Sequence, residues 1–347
     1  MEYTTEYQTE LYFTVNSTTE ILIPSSSELS IYVIIYIMVV FVPIGVVSIV
    51  GNAIVVFTIY RYPTLQVVRN YYLGSLAVAD FLTGAIAVPG VIMHYVFVRR
   101  QFSNANLSDG VTMYVMPLFL FSWASIHNLL LITWDRYCAL TQPLSYIGKS
   151  TKVRAFKYIA VAWIVSFIPI LIPFFWGVER DLTSGIITIK GQANRIRNYI
   201  CSFYFLIILT IMIKLHMSSY VIARKKEKEL PGTMMLTRQN RPRKGTSELI
   251  SVELHLKSFI TITLVLVVFI LSLTPLTILT YVEYIWDINI PVLVWFFEAI
   301  VFASSMVNPF IYACRRQDFR IAFRRTFKCK ESKSNISNFD DFQLVKS

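Results

Sequence analysis

Seven apolar runs divide this chain of 347 residues, near positions 31–60, 71–97, 111–133, 156–176, 199–223, 258–286 and 290–313. Each matches or exceeds the roughly 20 residues that a helix needs to cross a bilayer. Within lipid only helices and closed barrels pair every backbone N–H and C=O, and runs of this length overshoot a barrel strand. The pattern predicts an all-α membrane protein, a seven-transmembrane helix bundle. Polar connections separate the runs. The one long connection, 224–257, is basic and holds Pro231, Gly232, Pro242 and Gly245, which predicts a mobile loop. No internal repeat is evident, so the inverted-repeat plan of many transporters gains no support.

Composition agrees, with 55% hydrophobic and 15% charged residues, a balance more apolar than that of soluble domains. The net charge of +11 would suit a nucleic-acid partner, but the basic residues fall in blocks between apolar runs, which argues against one. Those blocks set an orientation. With the first connection inside, 25 of the 32 Lys and Arg residues face the cytosol, and residues 1–30 hold none. The amino terminus is expected outside and the carboxyl terminus inside. Residues 1–30 lack a basic stretch leading into a short apolar core, so the first run is expected to act as its own insertion signal. Asn16 and Asn106 stand in Asn-x-Ser/Thr sequons on the outer side and are glycosylation candidates. Cys138, Cys314 and Cys329 fall on the reducing side and Cys201 near the outer surface, so no disulfide within the chain is expected.

Two polar clusters interrupt the apolar pattern. Trp134-Asp135-Arg136-Tyr137 ends the third run, and Asn308-Pro309-Phe310-Ile311-Tyr312 lies late in the seventh. Asp80 stands in the middle of the second. A charged group at membrane depth costs a few kcal/mol, so such groups are expected to be buried in protein, paired and functional. No phosphate loop, metal-ligand cluster or nucleophile triad is recognisable, and no enzyme is expected.

In order along the chain, these motifs resemble those of the rhodopsin-like G-protein-coupled receptors. The likeness runs over about residues 31–329. It rests on Gly51-Asn52, Leu76-Ala77-Val78-Ala79-Asp80, Asp135-Arg136-Tyr137 with Pro143-Leu144, Trp163, Tyr220, Phe269 with Pro275, and Asn308-Pro309-x-x-Tyr312 followed by Phe319. Residues 128–155 are similar to the muscarinic and histamine branch of amine receptors, which bears on descent rather than on ligand.

The resemblance implies a plasma-membrane receptor that passes binding of an extracellular ligand to a heterotrimeric G protein, with arrestin and receptor kinases as further partners. It divides the chain into a glycosylated outer segment (1–30), the receptor domain (31–313), a membrane-surface helix (314–329) and a disordered cytoplasmic tail (330–347). It implies that Asp135 holds Arg136 at rest, beside Tyr137. Outward movement of the sixth helix would free the arginine, and Tyr220 and Tyr312 would swing into the space. Pro143 would open an inner-loop helix that offers Leu144 to the G protein. Many members lock the arginine with an acid where this chain has His255, so a weak lock and raised basal signalling are expected. Pro275 and Pro309 would kink their helices, and Ile126 and Phe269 would relay the motion.

The resemblance also makes Asp80 a sodium ligand, with Ser125, Ser304, Ser305 and Asn308 as partners and Asn52 nearby. The alternative is a protonated Asp80 hydrogen-bonded to Asn52 and Asn308. Apart from sodium no cofactor is expected. Amine receptors carry an aspartate where this chain has Leu118, which argues against acetylcholine or histamine as ligand. Glu298 could replace it toward a cationic ligand, or pair with Arg99 or Arg100. Further cavity candidates by position are Phe119, Ser122, Tyr204, Leu273, Leu276, Thr277, Tyr281 and Phe302. Lys190, Arg195 and Arg197 could attract an anionic or peptide ligand, or simply be solvated. The absence of lysine from 290–313 removes an opsin-type Schiff base. Phe319, Phe323 and Phe327, offset from Arg320 and Arg324, suit a helix lying on membrane lipid, with Cys329 as a palmitoylation candidate. Two rival readings are a transporter or ion conductor using Asp80 and Glu298, and a receptor-like partner that signals little itself.

Overall fold

The computed structural model describes residues 35–93, 112–171, 178–180, 187–189, 191–237, 242–286, 288 and 290–327. The helices are α1 (Ile37–Arg61), α2 (Val68–Met93), α3 (Thr112–Thr141), α4 (Pro143–Lys149), α5 (Lys152–Leu171), α6 (Gly191–Thr237), α7 (Pro242–Trp286), α8 (Pro291–Arg315) and α9 (Gln317–Phe327). Among the described residues, α1, α2, α5, α6, α7 and α8 each contain a stretch long and apolar enough to cross a membrane. The remaining long helix, α3, packs against α2, α5 and α6, and it carries buried His127, Asn128 and Asp135.

The distribution of side chains is that of a protein solvated by lipid. Val46, Val50 and Phe57 on α1 and Ile207 and Ile211 on α6 are exposed, while Asn52, Asp80, Ser125, Asn128 and Asn308 are buried. In water such a surface would be one continuous apolar patch; in a bilayer it is matched to its solvent.

Two glycines let α1 and α2 cross closely. A Cβ built on Gly84 would lie 2.8 Å from the carbonyl oxygen of Gly45. Each of these helices also contains one turn of π-helix, at Ile37–Phe41 and Thr83–Ala87. Pro43 and Pro89 explain them. Each proline lacks an N–H and crowds the carbonyl four residues earlier, at Val39 and Ala85, so the chain widens by one residue there.

Two expectations need correction. The connection 224–257 is not a mobile loop throughout, because α6 continues to Thr237 and α7 begins at Pro242. Lys225, Lys226, Glu227, Lys228 and Glu229 are good helix formers that support one another at three- and four-residue spacing, and Pro242 suits a first helical turn. The fourth span starts at Lys152 rather than 156, because Thr151 caps it by accepting from the Arg154 N–H at 3.3 Å. One short hairpin accompanies the helical bundle. Strands β1 (Val178–Arg180) and β2 (Ile187–Ile189) pair antiparallel, Val178 opposite Ile189, in a stretch whose β-branched residues favour extended backbone. Asn16, Asn106, Cys329 and the tail 330–347 lie outside the described residues.

The Gly84 contact yields a stability prediction. Gly84→Leu should lower the detergent-solubilised protein's melting temperature, at a cost of about 1–3 kcal/mol, since backbone on the neighbouring helix cannot yield. Gly148→Ala, whose Cβ would meet nothing within 4 Å, should not lower it, since alanine also favours the helix.

Candidate functional site

Four helices meet at a polar core. The Asp80 carboxylate of α2 accepts from Ser125 Oγ of α3 at 3.1 Å and from Asn308 Nδ2 of α8 at 2.7 Å. Ser48 of α1 donates to the Asp80 backbone carbonyl at 2.8 Å. Asn52 does not reach the carboxylate. Its Nδ2 donates to Ser48 O at 2.9 Å and to Ser305 O at 3.0 Å. That second carbonyl is the one left without a helical donor by Pro309, four residues on. Gly51 completes the fit, because a Cβ there would come within 3.0 Å of the Pro309 ring. The adjacent pair Gly51-Asn52 thus accommodates one proline on another helix. Ser305 lends its carbonyl to Asn52, and Ser304 turns away and donates to Val301 O of its own helix at 2.7 Å.

The inner end is built around Arg136. Its Nη2 lies 3.0 Å from Asp135 Oδ2, and Tyr146 of α4 donates to Asp135 Oδ1 at 2.8 Å. Burial and the neighbouring Asp135 push the Tyr146 phenol up to about 12, so it stays a donor at neutral pH. Arg136 shares a small cavity of about 20 Å3 with Arg69 and Arg316, and Thr261, Ile262 and Val265 of α7 close it. Tyr312 lies on the same cavity, its hydroxyl buried with no hydrogen-bond partner and its ring 6.0 Å from that of Phe319. Tyr220 is placed elsewhere. Its hydroxyl accepts from Arg224 Nε at 3.1 Å, and its side of α6 is exposed. Pro143 opens α4, as its position implied; Tyr137 is half-buried on α3. The side chains of Leu144 and His255 lie outside the described residues, although both sit on helical backbone.

A cavity of about 190 Å3 opens at the other end of the bundle. Phe119 and Ser122 of α3, Leu273, Leu276 and Thr277 of α7, and Glu298 and Phe302 of α8 all line it. Two position-based candidates do not. Tyr204 turns toward α3, with its ring 5.1 Å from Trp123 and its hydroxyl 3.1 Å from His127 Nε2. Tyr281 packs its ring edge-on against Tyr199 at 5.2 Å. The Leu118 side chain lies outside the described residues. Sequence reasoning missed Trp123, Phe205 and Glu283 on the wall. Glu283 stood near the end of an apolar run and resembled a helix boundary. Its Oε1 accepts from the Ile290 N–H at 2.9 Å and so shapes the turn between α7 and α8.

Two histidines also escaped notice. His127 Nδ1 lies 2.8 Å from Ser166 Oγ, joining α3 to α5. His216 Nε2 lies 2.9 Å from Thr263 Oγ1 and its ring stacks on Phe259 at 4.3 Å, joining α6 to α7. The only available signal was a polar residue inside an apolar run.

Residues 51–312 match the family described as 7 transmembrane receptor (rhodopsin family). The chain is 28% identical to the adenosine receptor A2a of Cavia porcellus over 303 residues, 82% of this chain and 71% of that one. It is 28% identical to the adenosine receptor A3 of Canis lupus familiaris over 306 residues, 84% and 91% of the two chains. It is 28% identical to the melanopsin of Podarcis siculus over 308 residues, 86% and 62% of the two chains. The chain belongs to the rhodopsin family of seven-transmembrane receptors. It is therefore a G-protein-coupled receptor and a multi-pass membrane protein, and the transporter reading is not favoured.

Proposed function

We propose that this receptor lies in the plasma membrane with its amino terminus outside, takes a small organic cation in the outer cavity, and opens its inner end to a heterotrimeric G protein. The excess of Lys and Arg on the connections facing α4 and α9 supports that orientation. The observation that carries the coupling is the closed Arg136 site. A guanidinium paired with one carboxylate and covered by α7 becomes available when α7 moves outward, and that movement needs no new bond. Arrestin and receptor kinases would use the same face. The likeness of residues 128–155 to the muscarinic and histamine branch supports common descent with it and not a shared ligand.

The ligand class follows from the cavity wall. Among its described lining residues are two carboxylates, Glu283 and Glu298, and no Lys or Arg. Phe119, Trp123, Phe205 and Phe302 supply aromatic faces. Carboxylates and π faces together favour a cation. The volume admits a small molecule better than a peptide. A neutral nucleoside would draw less on the two carboxylates than a cation would.

A sodium ion belongs to the same proposal in part. Asp80 and Ser125 offer hard oxygens, as such an ion requires, whereas Asn308 presents its amide N–H and Ser304 bonds its own helix. Asp80 and Ser125 would hold the ion, and its charge would compensate the buried carboxylate.

Arg136→Ala should abolish agonist-driven nucleotide exchange on every G protein the wild type activates, at surface expression matched by epitope tag. Retained exchange would remove the coupling site. In a screen of organic amines with adenosine as comparison, Glu298→Gln should raise the half-maximal concentration of an active cation roughly tenfold or more. Glu283→Gln should do less, since that carboxylate also serves the Ile290 N–H. Equal potency of adenosine in wild type and both variants, with no active cation, would overturn the ligand class. Sodium chloride, compared with potassium chloride at equal strength, should lower agonist affinity in the wild type and not in Asp80→Asn; a full effect in the variant would reject the ion site.

A further inference from the structure

A third cavity, of about 280 Å3, opens between α2, α3, α4 and α5 at the Arg136 end of the bundle, and the proposed function gives it no role. Its lining combines two kinds of chemistry. Trp134 of α3 and Tyr158 of α5 meet edge to face at 5.3 Å and are 38% and 39% exposed. Amphipathic rings of this kind collect where acyl chains meet headgroups. One turn of α5 before Tyr158 stands Arg154, exposed, and Lys149, also exposed, ends α4. Arg154 is positioned there by its own contact, Nη1 to the Lys149 carbonyl at 3.2 Å. The start of α5, a helix of 20 residues, adds the positive end of its dipole near Arg154. Asp135 is the one acid among the described lining residues, and Arg136 and Tyr146 already engage both of its oxygens.

From this arrangement we infer a binding site for an anionic phospholipid of the cytosolic leaflet, its phosphate between Lys149 and Arg154 and its glycerol and acyl portion along Trp134 and Tyr158. A free phosphate would satisfy the cations and leave the aromatic pair unused. The site has a consequence for signalling. Lys149 ends the helix that holds Tyr146 on Asp135, so an anion bridging Lys149 and Arg154 stabilises α4 and, through Tyr146, the resting Asp135–Arg136 pair. The leaflet rests on the orientation proposed above. The contact itself does not, because binding in detergent is read with no membrane side and no G protein.

The test uses the full chain, purified and delipidated in detergent, with phosphatidylinositol 4-phosphate as probe and phosphatidylcholine as neutral comparison, counted by native mass spectrometry. The wild type should retain the anionic lipid at least about tenfold more tightly than Lys149→Gln/Arg154→Gln, since each basic residue near a headgroup contributes about a factor of five. Arg61→Gln/Lys157→Gln, with the same charge loss at exposed positions off the cavity wall, should bind like the wild type. Ser145→Phe keeps both cations and fills the cavity; with an unchanged melting temperature it should also lose the lipid. Equal loss in the two charge pairs would show a diffuse basic surface and overturn the site. So would full binding by Ser145→Phe. If the soluble glycerophosphoinositol phosphate competes as well as the lipid itself, the ligand is a free anion and the lipid assignment falls.

Discussion

A carboxylate sealed among helices must find its partners inside the protein, and Asp80 finds them on two neighbouring helices. In lipid the tails are as apolar as leucine, so helices gain little by hiding apolar faces from one another. Polar ties and close packing then decide which faces meet. Ser125 and Asn308 draw α3 and α8 onto α2, and Ser48 brings in α1. Trp163 Nε1 donates to Ser75 Oγ at 3.0 Å and fastens α5 to α2 in the same manner. His127 and His216 extend the ties to α5, α6 and α7. Each such bond is worth only about 1 kcal/mol, but a lost partner leaves a polar group stranded in a medium that cannot solvate it.

The prolines show how strain is distributed. Pro43 and Pro89 are absorbed within their own helices by single π turns. Pro309 is handled differently. The carbonyl it frees is capped from another helix by Asn52, over a ring that only Gly51 leaves room for. The first kind of proline is locally settled. The second makes the geometry of α8 depend on α1, one residue from Asn308, which bonds Asp80.

Between the two ends of the bundle lies a continuous path of contacts. Trp123 lines the outer cavity and stacks on Tyr204, whose hydroxyl meets His127, which meets Ser166. Phe269 and Val265 of α7 belong to one core with Ile126, Leu129 and Ile132 of α3, and Val265 and Ile132 also border the Arg136 cavity. A ligand that alters the spacing of α3, α6 and α7 above therefore acts on a packed column that ends at the arginine. Close packing of this kind favours two discrete arrangements over gradual deformation.

Residue order alone was enough for the number of spans, their approximate ends and the burial of Asp80 and Asp135, because bilayer thickness and the cost of charge in hydrocarbon act on composition and spacing. It was also enough for the amphipathic α9, where Phe319 is buried and Arg320 and Arg324 are exposed. It was not enough for the helical extension of α6, where charged residues read as loop although their spacing supports a helix. Nor could it show that Ser304 turns from Asp80, that Tyr204 faces His127, or that Glu283 joins Glu298 on one cavity. Those outcomes depend on the rotation of each helix about its own axis. A run apolar on every side leaves that rotation open, and only the packing of all the helices together, with their few polar ties, selects it.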